Sequence, residues 1–313
     1  MSRDAFSDPP RDRSGTPDPE PRSASRRRAV TFEVPDEANS RDENQRSGQG
    51  IRSFEPESSR DEPNDSIRAY YVRDRAYLLR GSQMHSLSNV GTFRVISVSD
   101  LATYSYKGDH ARLEKDLRGL AKQALIKDST LEISRKQTLR VVTLTKTGHR
   151  LLTHSNQIRE DQPIYHGLKK RREVAHDADL YKLYQKETGR IERSGGRPVR
   201  VLLDYEITRR LNRDLARLGH EKDDPDRRGE VAGKHALPIV HGKISIPDLR
   251  IEYETSELEL KHVDLELATY NYRPRAIVAK ASAGFSMYGR AGDAQRLRRV
   301  LDEHKITQEI LTL

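Results

Sequence analysis

The stretch that decides the fold runs from Asp109 to Thr145 and reads DHARLEKDLRGLAKQALIKDSTLEISRKQTLRVVTLT. Its first half places leucines at helical spacing, at Leu113, Leu117 and Leu120, which predicts a helix with one apolar face. Its second half contains two strand-like runs, TLEIS and TLRVVTLT, separated by the polar turn RKQ. Such a pattern predicts a β-hairpin directly after the helix.

The predicted helix also carries a stripe of basic residues on the side away from the leucines. These residues follow steps of three, three and four, which keeps them on one helical face: Arg112, Lys115, Arg118 and Lys122. Arg135 and Lys136 occupy the tip of the hairpin, where they could reach a DNA backbone or minor groove. An ordinary solvated face is the alternative interpretation, since acidic residues at 114 and 116 interrupt the charge.

The flanking sequence predicts further helices. YYVRDRAYLL and SQMHSLSNV have a helical pattern, VSDLATYSY predicts a short helix with Ser99 as its N-cap, and TKTGHRLLTHS predicts a closing helix. Helices followed by a two-stranded wing resemble a winged helix-turn-helix across residues 67–155. That resemblance implies binding to double-stranded DNA, with a protein-interaction winged helix as an alternative.

The N-terminal segment has a different composition from the rest of the chain. Residues 1–66 hold eight of the fourteen prolines and show no sustained apolar period. Such a segment buries too little surface to offset its ordering entropy, so we expect a disordered tail. Within it, RSASRRRAVTFEVP has a basic cluster and a short apolar run that could bind a protein partner as a strand, although a solvated linker is the plainer interpretation.

Charge and composition limit the possible functions. The formal net charge is +9, yet residues 1–66 contain 15 acidic residues, 11 arginines and no lysine, so the positive charge lies in the remaining chain. That part can attract a polyanion such as DNA. The sequence has no cysteine, which excludes disulfides and thiolate sites. It has no long apolar run, so we expect no membrane association and a cytoplasmic location.

A second module is predicted over residues 156–313. It opens with HGLKKRREVAHDADLYKLYQ, whose basic run 169–172 could hold phosphates or form a solvated linker. His166 and His176 flank that run, and lone histidines are more often structural than metal ligands. The next segments predict a helix, a strand in PVRVLLDYEI, a helix in TRRLNRDLARLGH and a polar loop in EKDDPDRRGEVAGK.

From Ile244 the chain reads ISIPDLRIEYETSELELKHVDLELAT, followed by the helix-like RPRAIVAKASAGFSMY. The pair Pro247-Asp248, with an acidic residue on the next strand, resembles the PD-(D/E)xK or restriction-endonuclease-like superfamily. The overall expectation is therefore an α/β (α+β) chain with a winged helix followed by a restriction-endonuclease-like domain. A plain hairpin with solvated charges is the alternative, because Pro-Asp pairs are common turn starters.

The resemblance implies a site that binds magnesium through Asp248 and Glu266. Mg²⁺ prefers oxygen ligands and keeps waters that can act as nucleophile. The superfamily lysine is expected two residues after the second acid, where this sequence has Ala268, so Lys280 on the following helix is the substitute. Glu206 or Glu173 could supply a further acid. If Asp264 is the second acid instead, Glu266 stands in the lysine position.

The combination of the two modules is similar to the replication-relaxation proteins of plasmids and integrated mobile elements. This likeness implies a DNA-binding protein that takes part in replication or mobilisation, with a degenerate nuclease-like domain. A magnesium-dependent DNA endonuclease of the PD-(D/E)xK type is the alternative. A protein-binding regulator or phage accessory protein is a third possibility, in which the basic stripe would be incidental.

Overall fold

A computed structural model of the chain describes residues 66–134, 137–168, 173–219, 224–269 and 272–313. The described residues belong to one compact unit that spans Ser59–Leu313. The predicted disordered tail, except for its last residue, and the apolar run within it lie outside the described residues. Both therefore stay predictions.

The first described elements form the predicted winged helix with one addition in front of it. A β-hairpin of β1 (Ile67–Val72) and β2 (Arg75–Arg80) leads into α1 (Gly81–Phe93), β3 (Val95–Ser97), α2 (Val98–Ser105) and α3 (His110–Lys122). The wing follows as β4 (Ile126–Ser134) and β5 (Gln137–Leu144), and α4 (Lys146–His154) closes the module. The three-stranded sheet has the order β3-β5-β4 and is antiparallel. Three helices and this sheet confirm the winged-helix fold.

Two local expectations are wrong here. YYVRDRAYLL is a hairpin instead of a helix, because Tyr77 and Leu79 alternate inward from one strand and are buried, at 3% and 1% exposure. The cap of α2 is Ser97 instead of Ser99: the Ser97 hydroxyl accepts a hydrogen bond from the Asp100 backbone N–H at 3.0 Å.

The second module confirms the mixed α/β class. It contains α5 (Val174–Arg193), β6 (Arg197–Leu203), α6 (Asp204–Arg217), α7 (Pro225–Lys234), β7 (Ile239–Val240), β8 (Lys243–Ile244), β9 (Leu249–Glu254), β10 (Leu260–Ala268), α8 (Pro274–Ser282), β11 (Ser286–Gly289), α9 (Ala291–Glu303) and β12 (Ile310–Thr312). The main sheet has the order β12-β11-β10-β9-β6. β6, β9 and β10 are antiparallel, while β11 and β12 run parallel to β10 after helical crossovers.

The polar stretch around residues 221–234 is another correction. The sequence predicts a loop, but Pro225 begins the helix α7, and the Asp224 side chain caps it by accepting from the Asp226 backbone N–H at 2.9 Å. Proline is well suited to the first helical turn because the amide hydrogen that it lacks would have no partner there. Capping chemistry therefore outweighs overall polarity.

Helix α5 joins the two modules through a shared hydrophobic core. Tyr181 in α5 is fully buried, and its ring contacts the Phe93 ring of α1 with centroids 5.2 Å apart. The same cluster of buried residues continues into β6, β9 and β10. The boundaries predicted at 66/67 and 155/156 stay predictions, but the residues on either side of the second boundary pack as neighbours in one core.

Candidate functional site

The exposed face of α3 is basic. Leu113, Leu117 and Leu120 are buried, so the opposite side of the helix faces solvent. Three of the four predicted cations are exposed there: Lys115, Arg118 and Lys122. Arg112 is half-buried and forms a polar contact.

The acidic residues that interrupt the stripe in sequence do not interrupt it in space. Asp116 is 1% exposed and points into the module, where the Ser82 hydroxyl donates to it at 2.6 Å and the Tyr106 hydroxyl at 3.0 Å. The Arg80 guanidinium approaches the other oxygen of the same carboxylate at 3.3 Å. Buried carboxylates require such partners. Asp116 is therefore a structural anchor of α1 and β2.

Glu114 is neutralised by the wing. Its carboxylate is bidentate with the Arg140 guanidinium from β5, which also donates to Asp128 on β4 at 2.6 Å. The Arg140 hydrogen bonds hold the pKa of Glu114 below its ordinary value. Because its charge is compensated, Glu114 opposes a polyanion much less than its position in the sequence suggests. The wing-tip residues Arg135 and Lys136, and the basic run 169–172, lie outside the described residues.

A second candidate site lies at one edge of the main sheet. The end of β6, the start of β9 and the end of β10 meet there, since Leu249 is the register partner of both Leu203 and Leu265. This register brings Asp204, Asp248 and Glu266 to the same edge. The Asp204 backbone N–H donates to the Asp248 carbonyl at 3.0 Å. The first turn of α5 adds His176 and Asp177.

The three residues predicted to act together do converge. The Lys280 ammonium, from α8, donates to Glu266 Oε2 at 2.8 Å and also to the Ile246 carbonyl, two residues before Asp248. Asp248 Oδ2 accepts from the backbone N–H of Leu267, next to Glu266, at 2.9 Å. Lys280 therefore reaches the two acids from the helix that follows them.

Glu266 is in an unusual environment for a carboxylate. It is 0% exposed, and the Tyr272 hydroxyl donates to its Oε1 at 2.8 Å. Burial raises its pKa to about 7, the charge of Asp248 acts in the same direction, and Lys280 opposes both. The carboxylate therefore changes its charge near neutral pH.

His176 is a site residue that the sequence analysis missed. Its Nε2 lies 3.5 Å from Asp248 Oδ1. Burial alone would lower the pKa of His176, but the hydrogen bond and charge of Asp248 raise it to about 9. The imidazole is thus a cation at neutral pH. Its position in the first turn of a helix beside an aspartate was the available signal, but only the fold shows that Asp248 is its partner.

Nearby carboxylates complete the negative character of this edge. Burial raises the pKa of Asp177 to about 6, and the charges of Asp204 and Glu173 contribute to that shift. Glu206, the other suggested acid, is instead bound by the guanidinium groups of Arg209 and Arg210. This pairing explains its burial without a role at the sheet edge.

The alternative assignment of Asp264 as the second acid is not supported. Its carboxylate forms a bidentate pair with Arg250, with distances of 2.6 and 2.8 Å. Side chains alternate along a strand, so Asp264 and Glu266 share a face, but Asp264 lies opposite Arg250 in the register while Glu266 lies beyond it.

The donor set at the sheet edge fits a hard divalent cation in its chemistry. Mg²⁺ is commonly held by one or two carboxylates, with waters and substrate phosphates completing its coordination. Asp248, whose side chain is 14% exposed, and Glu266 supply two carboxylates. Among the described residues no group of three histidine, cysteine, aspartate or glutamate side chains is arranged to hold a metal ion. A cation here would therefore keep several waters.

Comparisons with known proteins add little to this description. No protein-family model and no curated protein matches the chain. The chain is similar to Bacillus subtilis PadR, solved in complex with operator DNA, at 19% identity over 49% of this chain and 92% of PadR, with a TM-score of 0.20. At that TM-score the winged-helix assignment rests on the elements described above. In the described residues, no helix is long and apolar enough to cross a membrane.

Proposed function

We propose that the protein binds double-stranded DNA through its winged helix. The observation that carries this proposal is the basic face of α3, where Lys115, Arg118 and Lys122 are exposed while both neighbouring acids are compensated. A helix fits the major groove of B-DNA, where arginine and lysine can bind guanine edges or phosphates.

The test is binding to a fluorescein-labelled duplex of 30 base pairs, measured by anisotropy across a potassium chloride titration. Changing Lys115, Arg118 and Lys122 to Gln should weaken binding and lower the salt slope by about one for each phosphate that is no longer neutralised. The matched control changes three exposed cations at the end of α9, Arg298, Arg299 and Lys305, to Gln. Equal binding by the α3 variant and the parent would refute the proposal.

We further propose that the DNA belongs to a plasmid or an integrated mobile element, in whose replication or mobilisation the protein takes part. Support comes from the resemblance in element order: a winged helix, then a helix, three antiparallel strands, a helix and a parallel strand. The test is sequencing of DNA crosslinked to the protein in its native cells. Enrichment of mobile-element sequences is expected, and a uniform chromosomal profile would contradict the assignment.

A second candidate function is hydrolysis of a phosphodiester bond with a divalent cation. The specific observation that favours it is the convergence of Asp248, Glu266 and Lys280 at one sheet edge. Asp248 and Glu266 would hold the ion. A bound Mg²⁺ would lower the pKa of a coordinated water and offset charge on the phosphate. Lys280 and His176 would place positive charge beside the same phosphate.

Two measurements test this candidate. The first is thermal unfolding with 10 mM MgCl₂ or MnCl₂: a ligand at 100 times its Kd stabilises by about 2.7 kcal/mol, and Asp248→Ala should lose that gain. The second is nicking of supercoiled plasmid, which should require both Asp248 and Lys280. Asp302→Ala, at an exposed position of α9, is the control. Metal-independent melting together with intact plasmid would eliminate the enzyme and leave the DNA-binding proposal untouched.

A further inference from the structure

The β1-β2 hairpin is an addition to the winged helix and lies along one side of α3. The Gln123 side chain, at the end of α3, donates to the Leu78 carbonyl of β2 at 3.3 Å. The guanidinium of Arg80, the last residue of β2, reaches Asp116 near the middle of α3 at 3.3 Å. β2 therefore runs antiparallel to α3, and the hairpin turn extends past the C-terminal end of the helix.

The β4-β5 wing lies on the other side of the same helix. It contacts α3 through Glu114, which binds Arg140. At 3.6 residues per turn, Glu114 lies roughly 160° around the helix from both Asp116 and Gln123. Lys115 and Lys122 fall between these two sides on the exposed surface. The basic face of α3 is thus flanked by the wing on one side and by the hairpin on the other.

The hairpin has the charge of a DNA-binding element. Arg68, Arg73 and Arg75 are exposed, and only one acidic residue, Asp74, accompanies them. No described carboxylate forms an ion pair with any of the three arginines; the Arg75 guanidinium instead stacks over the Tyr77 ring at 4.8 Å. Arginine is well suited to phosphate because its planar guanidinium can donate two parallel hydrogen bonds.

The hairpin is also held in a fixed position. Tyr77 and Leu79 are buried in the core of the winged helix, and Tyr70 packs against the same core. An isolated two-stranded hairpin is marginally stable, so this anchoring is what orders it. Arg73 occupies the turn in a left-handed conformation, with φ of 53°. The arginines are therefore presented from an ordered element beside α3.

We propose that the β1-β2 hairpin is a second wing that binds the phosphate backbone of the same duplex that α3 contacts. The inference rests on the proposed function, because it requires α3 to lie on DNA. At about 3.3 Å per strand residue, the turn reaches roughly 10 Å past Leu78. The next phosphates along the strand lie beyond the end of α3 in that direction. The duplex is thus held on three elements: hairpin, helix and wing.

The outer face of the hairpin offers a different partner, and the experiment must separate the two. Ile67, Tyr71 and Leu78 are exposed there, at 61%, 68% and 62%. An exposed apolar patch can mark a protein interface, including one with a second copy of this chain. The arginines, by contrast, are complementary to phosphate, which favours DNA as the partner.

The test uses the full chain with Arg68, Arg73 and Arg75 changed to Gln, compared with the parent and the α9 control in the same anisotropy titration. The salt slope should fall by about one for each phosphate that the hairpin no longer neutralises, and the affinity at 150 mM salt should fall at least tenfold. Thermal unfolding should be unchanged, because the three side chains are exposed. Leu78→Ser, on the outer face, should keep the salt slope of the parent.

The outcomes separate the two proposals. If the parent does not bind duplex, the proposed function fails. If the parent binds and the α3 variant does not, but the hairpin variant retains the parent slope, the second wing alone is refuted. A Leu78→Ser variant that changes the molar mass in light scattering, combined with an unchanged slope in the arginine variant, would make the hairpin a protein interface and also overturn the inference.

Discussion

Removing the ammonium of Lys280 is the sharpest test of the buried charges at the sheet edge. Lys280→Met keeps the length of the side chain and deletes its charge, which lies 2.8 Å from Glu266. Glu266 is 0% exposed, so water cannot replace the missing partner. Removing one member of a buried ion pair typically costs about 3–5 kcal/mol, because the remaining charge is left uncompensated.

The cost should depend on pH in a defined direction. The pKa of Glu266 is raised from 4.5 to about 7, so the protonated form is the one that the fold favours. A shift of that size corresponds to about 3 kcal/mol of stability, present below pH 4.5 and lost as pH rises through 7. Without Lys280, which lowers this pKa, the carboxyl group stays protonated to still higher pH.

The expected values follow from these two effects. At pH 8 the parent holds an ionised Glu266 against Lys280, so Lys280→Met should lose about 3 kcal/mol of unfolding free energy; the lower end of the range applies because Lys280 is 23% exposed. At pH 5.5 Glu266 is largely protonated in both proteins, and the loss should be about 1 kcal/mol, the value of one hydrogen bond.

Urea unfolding at both pH values gives the measurement. Glu266→Gln combined with Lys280→Met removes both charges, so this double variant should be more stable at pH 8 than Lys280→Met alone. An equal loss at pH 5.5 and 8, or a double variant no more stable than the single one, would refute the view that an uncompensated Glu266 carboxylate determines stability at this site.

Three further outcomes are expected elsewhere in the chain. Arg140→Gln should weaken duplex binding by exposing the charge of Glu114 on the α3 face, and adding Glu114→Gln should restore it; anisotropy checks both. Gly148→Ala should destabilise by about 1–3 kcal/mol in urea unfolding, since its Cβ would overlap the backbone carbonyl oxygen of Leu125, whereas Gly233→Ala, with open space around it, should not. Deleting residues 1–60 should leave the Tm almost unchanged, because a segment without a core has no buried area to lose, and a melting point lowered by many degrees would contradict that reasoning.

Periodicity in the sequence was sufficient to predict the winged helix. The leucines of α3 and the alternating strands of the wing are local patterns, and local patterns are visible in a single sequence. The hairpin in front of α1 was missed because its turn, at Arg73 and Asp74, contains neither glycine nor asparagine. Without that turn signal, its spaced aromatic residues are typical of a helical pattern.

The sequence also nominated Asp248, Glu266 and Lys280, but it could not show that they meet. That outcome depends on strand register, since a shift of one residue would turn Glu266 to the other face of the sheet. Register likewise pairs Asp264 with Arg250 and leaves Glu266 for Lys280.

Only the tertiary structure could decide the electrostatics of both sites. On α3, the charge pattern in sequence is mixed, and it becomes a basic face because packing buries Asp116 and the wing neutralises Glu114. At the sheet edge, His176 lies 72 positions before Asp248 in the chain and becomes its neighbour through the packing of α5 on the sheet. Local pattern specifies helices and strands because their periods are short. A site assembled from distant segments is specified by the packing and register that bring those segments together.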